Sequence, residues 1–291
     1  MFPQLVVNGV VSGAIYALTA VGFALIYNST HIFHLAHGAV FALSGYALFF
    51  AVKGLHLSLP VAIPIAICLS ILLGLVIEVG GYRPLRRRRV SLATFLISSL
   101  GIFIVVENGL ILLFGVLPKL ITDEPLTSHQ IGSLIVTDLH LIVIVCCMGI
   151  FPFLHFFLSR TQTGKIIRAL SDHPELATVL GIRTDRIYLF ITILGSGLAG
   201  VAGVFVGLDV GVTPVMGWDA VLVAAVAVII GGVGYLPGAG IAALLVGLVQ
   251  NLSVLKISAQ WQSTITFAVL ILFLIVRPKG LFGKIVSSRG A

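Results

Sequence analysis

Long apolar runs alternate with short polar breaks along the whole chain. They cover residues 5–27, a stretch ending near Val52, then 61–82, 92–117, 139–158, 187–208, 218–230, a stretch ending near Leu252, and 261–276. Runs of about 20 apolar residues are long enough to cross a hydrocarbon layer of about 30 Å as helices, and their continuity differs from the alternation of barrel strands. The pattern predicts an all-α integral membrane protein. It is a polytopic helical bundle of about 8–9 transmembrane segments, in one transmembrane domain over residues 1–291. Segment two and the glycine-rich break at 231–240 are the places where the chain either crosses fully or re-enters.

One long stretch, 160–186, breaks the apolar pattern. Within it, Asp172 is placed to accept from the backbone amide of Glu175, Glu175 to reach back, and Pro174 to sit in a first helical turn. Leu176, Val179 and Leu180 then fall on one apolar stripe, and Gly181 is placed to end the helix in a left-handed conformation. A helix of about two turns cannot hold itself together in water. This stretch is therefore expected to dock into a partner protein. In segment six, the spacing of Gly203 and Gly207 puts both on one face and predicts a tightly packed partner helix.

Composition changes the class of function rather than the fold. Charged residues are 9% of the chain against about 25% in ordinary soluble domains, and the hydrophobic share is 59%. The formal charge of +7 does not point to nucleic acid, because most of the 17 basic residues lie in three clusters beside the ends of apolar runs. These are Arg83 with Arg86, Arg87, Arg88 and Arg89; the 160–186 stretch; and Arg277, Lys279, Lys284 and Arg289. Basic clusters mark cytoplasmic loops. Putting all three inside is consistent with the segment count, sets the C-terminus and 160–186 in the cytoplasm, and sets the N-terminus outside. Trp218 and Trp261 are then expected at the outer interface, and Tyr82 and Tyr188 at the inner one. The polar loop 118–138, with Asp123 and Glu124, falls outside. Cys68, Cys146 and Cys147 read as small buried hydrophobes.

Candidate chemistry is sparse. There is no phosphate-cradling Gly-rich loop with its lysine, and Gly231, Gly232 and Gly234 read as a tight turn or a broken helix able to line a substrate path. His31, His34 and His37 lack an accompanying carboxylate or cysteine and read as interfacial residues capping a helix, not as a metal site. Glu107 and Asn108 stand in the middle of segment four, where a charge costs roughly 2.5–3.5 kcal/mol. They are candidates for an interhelical hydrogen bond or for the permeation path. Glu78 is expected to form a solvated ion pair with the nearby arginines. No cofactor, metal or catalytic residue is expected.

Five separated motifs carry a family resemblance. They are Asn8-Gly-Val-Val-Ser-Gly-Ala-Ile-Tyr-Ala-Leu18; Ile32-Phe-His-Leu-Ala-His-Gly38; Thr163-Gly-Lys-Ile-Ile-Arg168 through to Gly181; Gly231-Gly-Val-Gly234 with Pro237-Gly238; and Arg277-Pro-Lys-Gly-Leu-Phe-Gly283. The chain resembles the H-type membrane permeases of bacterial ABC importers for branched-chain amino acids. That resemblance implies a permease subunit of the inner membrane that forms a translocation path for hydrophobic amino acids. Its expected partners are two cytoplasmic ATPase subunits, a second, M-type permease, an external substrate-binding protein and membrane lipid. It also implies an ATPase-coupling role for Gly164, Arg168, Asp172, Pro174, Glu175, Leu176, Ala177, Leu180 and Gly181. Leu176 departs from the Glu-Ala-Ala…Gly pattern of that loop. Similar permeases handle urea, short amides or aromatic acids, and an ion-coupled carrier using Glu107 is the alternative from another class.

Overall fold

The computed structural model describes residues 2–122, 127–132 and 134–282. Asp123, Glu124, Gly283, Lys284 and Arg289, and the side chain of Glu175, lie outside the described residues. The helices are α1 (Phe2–Thr30), α2 (Ala36–Phe49), α3 (Leu59–Val76), α4 (Arg83–Arg87), α5 (Leu92–Phe114), α6 (Asp138–Arg160), α7 (Gln162–Asp172), α8 (Pro174–Val179), α9 (Thr184–Val210), α10 (Met216–Gly231), α11 (Leu236–Ser253) and α12 (Gln262–Val276). Among the described residues, 8 helical stretches are long and apolar enough to cross a membrane, and α10 is a shorter apolar helix of 16 residues. The predicted all-α bundle is therefore present, with every predicted segment in place.

Helix α1 is the centre of the bundle. Its apolar window is 83% buried, against 6% for the last span, so the two helices face different surroundings. Small residues allow this central position. A Cβ on Gly9 would touch Leu248 on α11, and one on Gly22 would lie 2.8 Å from the Gly195 carbonyl oxygen on α9. In lipid, where apolar burial does not drive helices together, such close backbone packing holds them. Gly203 and Gly207 also behave as their spacing predicts, facing Phe41, Ser44 and Gly45 of α2.

Two segments turn back into the bundle. After α1 ends at Thr30, residues 31–35 return so that His37 Nε2 lies 3.2 Å from the Thr19 carbonyl oxygen. Thr19 is about 16 Å below the end of α1 at 1.5 Å per residue. Helix α2 therefore starts at membrane depth and runs on to the opposite face, where Phe49 lies under Lys119, so segment two completes its crossing as an extended stretch followed by a helix. From the opposite face, residues 211–215 return so that α10 starts with Gly217 against Gly38. Trp218 packs on Phe103 with ring centroids 5.5 Å apart, midway along α5. This corrects its expected place at the outer interface. The break after Gly231 is a turn level with the end of α1, where the Gly234 amide donates to Asn28 Oδ1 at 3.1 Å.

The two ends of the bundle differ. One carries Arg83, Arg86, Arg87, α7 and α8, and is called the basic face below. The other carries a hairpin, β1 (Ser128–Ile131) and β2 (Leu134–Thr137), where the sequence predicted only a polar loop. Leu134-Ile-Val-Thr137 is rich in β-branched residues and Gly132 supplies the positive φ of the turn, which favours pairing. The side chain of Gln4 bonds both the amide and the carbonyl of Ile135, so α1 is fastened to the hairpin. Of the cysteines, only Cys147 is fully buried, while Cys68 is exposed on the apolar outside of α3.

Candidate functional site

On the basic face the chain leaves α6, turns sharply and lays α7 back against the bundle. Thr161 makes the turn, its hydroxyl accepting from the Gly164 amide at 3.0 Å. Gly164 is obligatory in this arrangement, because a Cβ there would collide with the carbonyls of Phe157 and Leu158. Arg168 closes the corner by donating from Nη1 to the Leu158 carbonyl at 2.6 Å. Ile167 and Leu170 are buried beneath, and Ser171 Oγ lies 2.9 Å from Ser29 Oγ on α1.

Asp172 ends α7; it does not begin the next helix as the sequence suggested. The junction residue is His173, and Pro174 takes the first position of α8, where its missing N–H costs nothing. The cap is lost because α7 propagates through Asp172, held by its own buried face. In α8 the predicted stripe is turned outward. Leu176, Val179 and Leu180 are 57%, 83% and 79% exposed, while Ala177 is 2% exposed and is the residue that anchors the helix. Gly181, at φ 80°, ends α8 as predicted; its amide bonds the Thr178 carbonyl and the Ile182 amide bonds that of Ala177, the paired closure of a Schellman turn.

Charged side chains connect the start of α9, just after α8, to the Arg83–Arg87 helix. Asp185, in the first turn of α9, accepts from Arg83 Nε at 2.8 Å and lies 3.5 Å from Arg87. Glu78 pairs with Arg86, whose guanidinium also lies 4.2 Å from the Tyr188 ring centroid. The sequence predicted a solvated pair, yet Glu78 is 2% exposed. Packing of α9 over the π-helical turn Ile77–Tyr82 covers it. Tyr82 and Tyr188 are buried as well, at the basic end of the bundle, where the Tyr188 ring faces Arg86.

The histidines likewise depart from the interfacial expectation. His31 is exposed at the end of α1, but His34 and His37 are fully buried. The His34 Nδ1 lies 2.6 Å from Tyr82 Oη, Tyr82 donates to Ser99 Oγ at 2.8 Å, and Ser99 Oγ also accepts from the Ala36 amide at 2.9 Å. With the Tyr82 proton committed to Ser99, His34 donates through Nδ1. His37, facing a carbonyl, donates through Nε2. The network fixes both tautomers and pins the first turn of α2 at depth. The chain's fold-back brings these partners together, and no local sequence signal announces it.

The remaining candidates lie apart. Glu107 is half-buried on α5, and Asn108 is exposed and donates to the Ile104 carbonyl of its own helix at 2.8 Å. Gly231 packs backbone to backbone with Gly238, and Gly232 adopts φ 97° at the turn. Gly234 lines a cavity of about 700 Å³ on the basic side of the bundle, bounded by α1, α6, α7 and α11.

Residues 5–274 match the family described as the branched-chain amino acid transport system permease component. The high-affinity branched-chain amino acid transport system permease protein LivH of Escherichia coli K12 is 32% identical, over 97% of this chain and 96% of its own length. BraD of Pseudomonas aeruginosa, described in the same words, is 29% identical over 97% of this chain and 95% of its own. PsaBC from Streptococcus pneumoniae, solved in complex with a Fab, has a similar fold, with a TM-score of 0.54 and 14% identity, covering 94% of this chain and 91% of that one.

Proposed function

The chain belongs to the branched-chain amino acid permease family and is a permease subunit of an ABC importer, and from that premise we propose that it passes branched-chain or other hydrophobic amino acids, delivered by an external binding protein, through a path shared with a second, M-type permease. Two cytoplasmic ATPases supply the energy, and α8 is where one of them grips. The observation that carries this reading is the inverted arrangement of α8: three large apolar side chains are held in water while the small Ala177 is the one buried. A short helix presents that face only to a partner. The tight turns at Gly164 and Gly181 and the Arg83–Asp185 pair make the lever stiff, so a displacement of α8 passes into α9 as a rigid-body movement.

In this reading the basic face, with residues 160–186 and the C-terminal end, is cytoplasmic, and the N-terminus with the hairpin is outside. Glu107 and Asn108 on α5, and the turn at Gly231, Gly232 and Gly234, are the positions assigned to the path. Urea, short amides and aromatic acids are the competing substrates. The decisive experiment is uptake of labelled leucine into vesicles that contain the whole complex. Uptake that requires ATP inside and a loaded binding protein outside supports the proposal. Uptake by this chain alone, driven by an ion gradient, overturns it.

A further inference from the structure

Asp219 stands in the first turn of α10, which begins at membrane depth with Gly217 against Gly38, yet its side chain is exposed. It makes no hydrogen bond or ion pair among the described residues. A carboxylate left in hydrocarbon costs roughly 2.5–3.5 kcal/mol, so this one faces water or a cation. Val215, Trp218, Asp219 and Leu222 fall at i, i+3, i+4 and i+7 and form the open stripe of a helix that is otherwise mostly buried. On one side of the stripe Trp218 packs on Phe103 of α5, one turn from Glu107. On the other, Ser263, Thr266 and Phe267 of α12 close a cavity of about 10 Å³ against Asp219, Leu222 and Val223. That is room for about one water, and an ammonium group is no larger. The niche is lined by acceptors: Thr266 gives its proton to the Gln262 carbonyl, so toward the cavity its oxygen can only accept. From α1 the phenol of Tyr16 lies within electrostatic reach of the carboxylate, and no basic side chain among the described residues competes for it.

We propose that Asp219, with the Ser263 and Thr266 oxygens, receives the ammonium group of the transported amino acid as it passes through the membrane. The hydrocarbon side chain of the amino acid then lies along Trp218 and Leu222, on the face that the second permease completes. This rests on the permease reading above and narrows its substrate. Urea and short amides bring no positive charge to the carboxylate, and the anion of an aromatic acid is repelled by it. A charged acceptor set beside apolar walls selects a hydrophobic molecule that carries an amine.

Vesicles that hold the whole complex, ATP and a binding protein loaded with a diazirine analogue of leucine are illuminated during uptake, and the label is mapped by mass spectrometry. Label is expected within residues 215–223 of the α10 stretch or 262–267 of α12. Label on this chain confined to other segments overturns the assignment. Asp219→Asn should lower both the labelling and the uptake of radioactive leucine at least about tenfold, as when one member of a desolvated charge pair is removed. Its melting temperature should stay within about 2 °C of the parent's, because the side chain is exposed. Asp219→Glu keeps the charge and should recover part of the uptake. Leucine uptake by Asp219→Asn at the parent rate overturns the inference and leaves the permease reading standing. So does loss of the second permease from the purified Asp219→Asn complex, which would make the carboxylate one half of an ion pair between chains. Parent uptake of urea or benzoate in place of leucine overturns the substrate reading and this inference together.

Discussion

Gly38 and Gly217 meet backbone to backbone in the middle of the bundle, so close that a Cβ on either would collide with the carbonyl oxygen of the other. They are the first turns of α2 and α10, which enter from opposite faces. Two helix N-termini are thus brought to one depth in the membrane, and their first amides find local partners: those of His37 and Gly38 bond the His34 and Leu35 carbonyls, and those of Met216 and Trp218 bond the Thr213 and Val215 carbonyls. The Ser99 hydroxyl takes that of Ala36.

Gly38→Ala and Gly217→Ala should each destabilise the protein by at least about 1–3 kcal/mol, since the obstacle is backbone and cannot rotate away. Thermal unfolding in detergent measures this. A variant that melts with the parent would mean that the two helices do not meet as described.

Gly74 offers a contrast, because there the obstacle is a side chain. A Cβ at Gly74 would strike Ser196 Oγ, a buried hydroxyl without a hydrogen-bond partner among the described residues. Gly74→Ala should therefore be harmful alone and largely rescued by Ser196→Gly, with a coupling energy of about 0.5–3 kcal/mol in a double-mutant cycle. Additive effects would contradict the contact.

Arg86→Leu should be more damaging than its partly exposed position suggests. It strands Glu78, which is 2% exposed, and breaking a buried pair costs about 3–5 kcal/mol. Adding Glu78→Gln should recover part of that loss, read as a higher melting temperature in the double variant than in Arg86→Leu.

Tyr82→Phe removes one oxygen and leaves the His34 Nδ1 donor without a partner, while Ser99 Oγ keeps the Ala36 amide. A loss of about 1–3 kcal/mol is expected for a buried donor left without a partner. Stability unchanged from the parent would show that the chain from His34 to Ser99 contributes nothing to holding α2 at depth.

Leu180→Asp should act in the opposite way. The side chain is 79% exposed, so stability should stay within about 0.5 kcal/mol of the parent. Uptake, and recovery of ATPase subunits with the purified permease, should fall at least about tenfold, as expected when an apolar anchor of an interface is replaced by a charge. Intact uptake would remove α8 from the coupling role.

The Gly203/Gly207 face and the Gly181 stop could be read from the chain because each depends on residues a few positions apart. Where the reading failed, as at Asp172, Glu78, Trp218 and the histidine motif, the deciding neighbour was distant in sequence. Glu78 looked solvated because arginines follow it, and nothing nearby revealed that α9 would cover it.

Membrane residence, the order of the helical segments and the short helix that ends at Gly181 were settled by the sequence alone, since apolar length and helix-stop residues act locally. Which helix is central, where α2 and α10 begin, and which polar atoms find partners were decided only by tertiary structure. In lipid the apolar effect does not rank one helix face over another, so the choice falls to close contacts such as Gly22 on Gly195 and Gly38 on Gly217, which exist only once the whole bundle has assembled.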